Sequence, residues 1–526
     1  MVPTNRRSSI RTGRMRSDLL TASHYRLHRA AHRRFPRIIS NPDYQHLEIH
    51  RSHDAEENAR SQPHQDESIR LRSLWAIEYY FPSHDDGLFA GFARLGWDKE
   101  ETGALGRNPA DWLRKRKETI SGGGWSNLGY IARPGPKRFV GPHRTAALPD
   151  DVDYAECRIY ALTSAVSCIV MMFVVKEEVG GRYEHILRQT YQTEIRPRGR
   201  GYEIIGPELQ KERAISNARS ALRSELRNWF QRNLPGYFSS EESGTEMPVC
   251  EFLTLMKAQP FSPRDDDMAQ SEPALHVLGI DHDFDAWAYG EVPGLRFSWP
   301  IRPAGPKGLY AVIAARRDNF PEDKLEMYGG RDSALPVFLD HRINGLLSRW
   351  SLLGVLAGLE RKFALRHITS ELKASLPRNA LKRLNRLGDL FSTATETGLL
   401  AAEIERFSDQ KISFSHGVAA FSPCRPEYYR TENPSLAGIF RENINRRSKT
   451  LVQRASSSQE LMMQQTTAVG TRENVRLQRR IMLLTWIIVV LTGLLAWNVF
   501  RDLSSSQAKD ERQVTEQAEF AAPIWG

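Results

Sequence analysis

Cysteine is scarce in this chain of 526 residues: Cys157, Cys168, Cys250 and Cys424 are the whole complement, widely spaced and without a CxxC pair. That spacing excludes a disulfide framework and signals no zinc site, so the four read as reduced thiols in a cytosolic domain. The common catalytic signatures are missing too. There is no GxSxG, HExxH, Walker A or GxGxxG, and Gly199-Arg200-Gly201 followed by Gly206 has the wrong spacing for a dinucleotide fingerprint. No apolar h-region opens the chain, so a secretory signal peptide is not expected. Acid is nearly lacking at the start: the first forty residues hold ten Arg (Arg6, Arg7, Arg11, Arg14, Arg16, Arg26, Arg29, Arg33, Arg34, Arg37), no Lys, and Asp18 as their one acid. Such a segment cannot bury enough apolar surface to offset its ordering entropy. Residues 1–68 are therefore expected to be mostly disordered. An arm for phosphate or anionic lipid, a transit peptide, and a true initiator at Met15 or later are the competing readings.

What is present in quantity is one apolar run. Ile481 to Phe500 (IMLLTWIIVVLTGLLAWNVF) carries no charge in twenty residues, the length a helix needs to cross a hydrocarbon core. Nine Lys/Arg against three Glu lie between Arg441 and Arg480, whereas residues 501–526 hold three basic and five acidic side chains. Basic flanks stay cytoplasmic, which predicts a single pass with the first 480 residues in the cytosol and the short tail outside. The bland alternative is a core helix closing a soluble domain.

The remaining sequence supports a mixed fold. A net charge of +10 and a pI near 9.4 point to acidic partners, though the charge is concentrated in a few segments. Ordered structure is expected from Ile69, with an aromatic-rich stretch at Leu71 to Phe81 and a short amphipathic helix at Pro109 to Ile120. Ser121-Gly122-Gly123-Gly124-Trp125 and the basic loop after it could cradle a phosphate, but a structural turn explains them as well. Ile159 to Val175 is a second uncharged stretch. Its β-branched residues and its polar break at Thr163, Ser164, Ser167 and Cys168 favour buried strands over a second span.

A helix opened by Pro207 and closed by Leu234-Pro235-Gly236 follows. Further strand-like pieces are ALHVLGI (Ala274 to Ile280), LRFSWPI (Leu295 to Ile301) and GLYAVIAAR (Gly308 to Arg316). From Leu335 onward the pattern is helical: a first helix through Leu356, a break at Ser375-Leu376-Pro377, a second from Arg378 to Phe407, and a third capped by Asn433 with Pro434 in its first turn. The expected fold class is α+β (mixed α/β): a cytosolic head over 69–334, a mainly helical stalk over 335–480 suited to a coiled coil and self-association, and one C-terminal transmembrane helix over 481–500 with the tail 501–526 beyond it.

Two constellations carry candidate chemistry. Asp281, His282, Asp283 and Asp285 could supply hard ligands for a divalent cation; they lack the Gly and Glu of an EF-hand loop, and an acidic surface turn is the competing reading. Arg219, Arg223 and Arg227 form an i, i+4 ladder which, with Arg479 and Arg480, could meet anionic lipid or phosphate. Nucleic acid is the less favoured partner, and no cofactor other than a divalent cation is implied.

An α/β head, long helices and a C-terminal span together resemble the outline of CorA-type divalent-cation channels. That family carries two spans and a Gly-Met-Asn signature after the first. Here Gly493 is followed by Leu494-Leu495 and no second span follows Phe500, so the likeness is of outline only. The expected function is a single-pass membrane-anchored protein whose cytosolic head senses or scaffolds at the membrane surface. The alternatives are a membrane-bound metal-dependent hydrolase or nuclease, and an oligomeric pore-forming effector.

Overall fold

The structure is a computed structural model that describes residues 26–35, 38, 51–99, 108–119, 123–135, 143–198, 201–240, 245–262, 273–299, 308–330, 332–374, 380–429 and 433–519. Among them the strands are β1 (Ile69–Tyr80), β2 (Gly124–Ala132), β3 (His143–Thr145), β4 (Val152–Ala161), β5 (Ser167–Val175), β6 (Glu194–Arg198), β7 (Gly201–Ile205), β8 (Val249–Leu255), β9 (Ala286–Tyr289), β10 (Arg296–Ser298), β11 (Tyr310–Arg316) and β12 (Phe421–Pro423). Ten of these make one mixed sheet in the order β12-β9-β10-β11-β8-β1-β5-β4-β2-β3, and β6 and β7 pair separately. Neighbours run antiparallel except at β11/β8 and β2/β3.

The apolar run at Ile159 to Val175 forms the end of β4 and all of β5. Its polar break is the hairpin turn, where Thr163 Oγ1 accepts from the N–H groups of Ala165 and Val166. Every residue of β5 is buried, as is β1 from Ser73 to Tyr80. Strands covered on both faces need apolar side chains at odd and even positions alike, which is why these read as continuous runs rather than alternations.

The helices are α1 (residues 26–34), α2 (Asp54–Arg60), α3 (Asp85–Arg94), α4 (Pro109–Lys117), α5 (Glu177–Gly180), α6 (Arg182–Arg188), α7 (Pro207–Asn233), α8 (Leu275–Leu278), α9 (Glu322–Glu326), α10 (Ala334–Trp350), α11 (Leu352–Ala374), α12 (Ala380–Asp409), α13 (Lys411–Ser415) and α14 (Leu436–Glu519). Alternate β1 residues face opposite ways. Trp75 and Tyr79 bond to Asp340 and the Ser348 carbonyl of α10, whereas Tyr80 bonds to the Leu234 carbonyl just past α7. The sheet is thus a middle layer, with α10 on one face and α7 on the other, where Trp229 and Phe230 stand edge-on to Phe173.

Several expectations need correcting. Order begins before Ile69: α2 packs on α7, Asn58 Nδ2 reaches the Tyr191 carbonyl at 2.8 Å, and the buried Lys211 donates to the carbonyls of Asn58 and Ser61. Residues 1–25, 36–37 and 39–50 lie outside the described residues. Ala274 to Ile280 holds the short helix α8 rather than a strand, closed by Gly279 in the left-handed region at φ 72. The region after Leu335 does not begin as a stalk, because α10 is buried along nearly its whole length and β12 returns to the sheet edge beside β9. Asn433 is left-handed at φ 51 and does not cap the last helix. Ser435 Oγ does, accepting from Gly438 N at 3.1 Å. That helix, α14, then continues through Ser456 to Ser458 and Gly470 without a break. The expected break at Ser375-Leu376-Pro377 falls outside the described residues.

The chain forms two compact units, Met1–Ala364 with Thr397–Gln453, and Leu365–Glu396 with Arg454–Gly526. The first holds the sheet and its covering helices. There the start of α14 buries Leu436, Phe440, Ile444 and Leu451, and Arg447 grips the Glu360 carboxylate with Nε at 3.1 Å and Nη2 at 2.7 Å. The second unit consists of helical segments, in which Gln459 Nε2 donates to Thr395 Oγ1 at 2.9 Å. It contains a helix window, Asn474–Val499, with a mean hydropathy of 2.1 and none of it buried.

Candidate functional site

Glu156 and Arg158 stand i, i+2 within β4 and so leave the same face of the sheet. Directly above them α10 presents Asp340, which is 1% exposed. Arg158 Nη2 lies 3.1 Å from Asp340 Oδ2 and 3.4 Å from Glu156 Oε1, so one guanidinium serves two buried carboxylates. Trp75 Nε1 donates to Asp340 Oδ1 at 2.8 Å, Asn127 Nδ2 to Glu156 Oε1 at 3.3 Å, and His341 Nε2 sits 3.4 Å from that same oxygen. Glu156 Oε2 finds no hydrogen-bond donor among the described residues. His341 is 39% exposed, lies edge-on to Tyr328, and links the buried pair to solvent.

The electrostatics follow from two acids confined with one cation. Burial, then the neighbouring Glu156 charge, push the Asp340 carboxyl up to about 7. Burial works the same way on Glu156, but the hydrogen bond from His341 and the charge of Arg158 outweigh it and hold that carboxyl below its usual range. Arg158 is driven up by the two carboxylates against its own burial. Of the two acids, Asp340 is therefore the one that holds its proton to the higher pH. Environments that push two carboxyls apart in this way are what acid–base chemistry requires. They also arise in ion clusters that only fasten a helix to a sheet.

No protein-family model, curated protein or solved structure matches this chain.

The residues singled out from sequence are placed otherwise. Asp283 is buried and committed to Arg425, whose Nε is 2.9 Å from Oδ1. Asp281 to Asp285 precede β9 as bends and a turn. His282 joins Ser262 in an isolated bridge and meets the Phe284 ring edge-on. Among the described residues no three His, Cys, Asp or Glu gather as a metal site. The arginine ladder turns inward instead of lining a surface. Arg219 is fully buried, with Nε 3.0 Å from Glu251 Oε1, while Tyr183 and Tyr310 donate to Glu251 Oε2 at 2.9 and 2.8 Å. Arg223 is 4% exposed over the Tyr310 ring, and Arg227 donates to the Ser240 carbonyl. Arg479 and Arg480 are exposed on α14 at the start of the apolar run.

Elsewhere in the first unit, a cleft of about 580 Å³ is lined by Glu118, Thr119, Leu162, Thr163, Arg406, Phe407 and Gln410. Two of its polar groups are already engaged: Thr163 closes the β4–β5 turn and Arg406 pairs with Glu403. Sequence reading missed the Glu156–Asp340 pair, although a signal was there, namely charged residues inside an apolar strand and an apolar helix.

Proposed function

We infer that this chain is a single-pass membrane-anchored protein whose mixed α/β head works at the membrane surface as a sensing or scaffolding body. The observation that carries this reading is the apolar window Asn474–Val499, a continuous helix with none of its surface buried. A core helix would be covered by protein; an exposed one of this hydropathy calls for lipid. Arg472, Arg476, Arg479 and Arg480 precede the uncharged run Ile481 to Phe500 and support an orientation with the head in the cytosol. The bilayer is the partner, and contacts between copies are assigned to the helices of the second unit. A pore would need several such helices per assembly, and nothing favours that over a single anchor. The metal-dependent alternative is the less favoured one, since Asp283 is engaged by Arg425.

Carbonate extraction tests the reading. The full chain is expected in the membrane pellet, and a chain ending at Gln478 in the supernatant. Full-length protein in the carbonate supernatant overturns it.

A further inference from the structure

Helix α14 has two unlike sides within the second unit. Ala455, Ser458 and Met462 are buried on the side where Gln459 Nε2 reaches Thr395 of α12. Counted in sevens, these residues occupy three positions that adjoin on the helix surface. Arg472, Glu473, Arg476, Arg479 and Arg480, all the charges between Leu461 and Phe500, recur at those same three. So do Trp486 and Trp497, the bulkiest side chains of the apolar run. On the neighbouring side Leu461, Ala468, Val475, Met482, Val489 and Ala496 follow at every seventh residue, and Gln464, Thr471, Gln478, Thr485 and Thr492 stand three beyond the first five. All of these are exposed, on a helix that runs through them unbroken. The stripe passes from the arginine-rich stretch into the uncharged run Ile481 to Phe500 without meeting a charge.

We propose that this stripe is where α14 pairs with α14 of a second copy of the chain, as a parallel two-stranded coil that begins before the bilayer and continues into it. The proposal rests on the anchored reading, which sets both copies the same way up. A stripe that repeats every seven residues stays in contact when two helices wind about each other. In a parallel pair each position meets its own counterpart, so a stripe free of charge is the one that tolerates a copy of itself. The arginines of a chain with net charge +10 stand outside it. Gln464, Thr471 and Gln478 both donate and accept, so each can bond to its counterpart. Ala496 and the two threonines of the apolar run let backbones approach closely, which is how helices associate in lipid. Lipid alone would cover the run and leave Leu461 and Val475 in water.

Disulfide trapping of the full chain in membranes tests the pairing. Val475→Cys and Gln478→Cys lie in the stripe, Arg476→Cys and Arg480→Cys outside it, each in a Cys424→Ser background; Cys157, Cys168 and Cys250 are buried. Residues that face their counterparts bring Cβ atoms within disulfide reach, so the two stripe positions should form dimers at least about tenfold faster than the other two. Dilution with added lipid should not erase the difference. Adding Val475→Glu to Gln478→Cys should slow that disulfide by a similar factor, because like charges then meet in the seam; Val475→Leu should leave it fast. Equal rates at all four positions, faster reaction at Arg476→Cys or Arg480→Cys, no dimer in the stripe, or indifference to Val475→Glu overturns the proposal. Carbonate extraction of the same samples reports the span separately. Resistant protein without the pattern refutes the seam and spares the anchor, whereas the pattern in extractable protein removes the anchor and spares the seam.

Discussion

Asp340 is one of the buried acids on which the head's pH response should turn. Its carboxyl is moved from an ordinary 3.8 up to about 7, so between those values the folded chain holds a proton that the unfolded chain has released. The stability this contributes is complete below about 3.8 and is lost as pH rises through 7. Each unit is worth about 1.4 kcal/mol, which makes the effect on the order of a few kcal/mol. Glu78 behaves alike: burial pushes it up to about 7, although the N–H groups of Tyr79, Phe238 and Ser239 donate to it. Asp340→Asn keeps an acceptor for Trp75 and mimics the protonated acid. Below pH 7 it should cost little, while the fall in melting temperature between pH 5 and 8 shrinks but does not vanish, because Glu78 remains. Glu156→Gln leaves Arg158 with Asp340 alone, so Asp340 should ionise at lower pH, and the loss of a buried charge partner should cost about 3 kcal/mol. Melting curves of both variants across that range decide the matter; an unchanged slope in Asp340→Asn would remove the proton from this site.

Helix α10 is the element that organises one face of the sheet, and its fit can be tested where it has least room. A Cβ added at Gly345 would stand 2.1 Å from the Gly417 carbonyl oxygen, which is backbone and cannot swing aside. Gly345→Ala should cost about 1–3 kcal/mol by overpacking. Gly388 in α12 has nothing within 4 Å, so Gly388→Ala should instead gain about 0.5–1 kcal/mol from helix propensity. Opposite signs in denaturant melts are the expected outcome, and a gain at both positions would mean that α10 does not approach the Gly417 turn this closely. The same elements show what the sequence made legible. β4 and β5 were readable because fully buried strands are long β-branched runs with a polar turn, and β10 and β11 because Pro and Gly delimit them. Ala274 to Ile280 misled, since four apolar residues fit a strand or one helical turn equally and only Gly279 separates the two. Leu339, Ile343, Leu346 and Trp350 announced a helix correctly but not its burial, which depends on a sheet formed far away in sequence. For the same reason no local pattern could join Glu156 to Asp340 or withdraw Arg219 onto Glu251.

At the scale of the whole molecule, the contrast between buried and exposed apolar surface is what needs explaining. The sheet unit buries most of its large apolar side chains, Trp75, Trp229, Trp287 and Trp350 among them, and leaves single ones such as Trp125 in water, while Trp486 and Trp497 stand 66% and 68% exposed in an uninterrupted apolar run. Water is a poor solvent for so much contiguous apolar surface, which is what the proposed anchor rests on. If a bilayer covers it, the unequal flanks fix the sidedness: four arginines crowd residues 472–480 and acid predominates over 501–526. A protease site inserted after Ser506 should then be cut only from the non-cytosolic side of sealed vesicles, and one inserted in the head only from the cytosolic side. Both sites cut from one side would mean that the helix does not cross. The tail cut from the cytosol with the head protected would mean that it crosses the other way, and the charge argument would then yield to whatever translocates the folded unit.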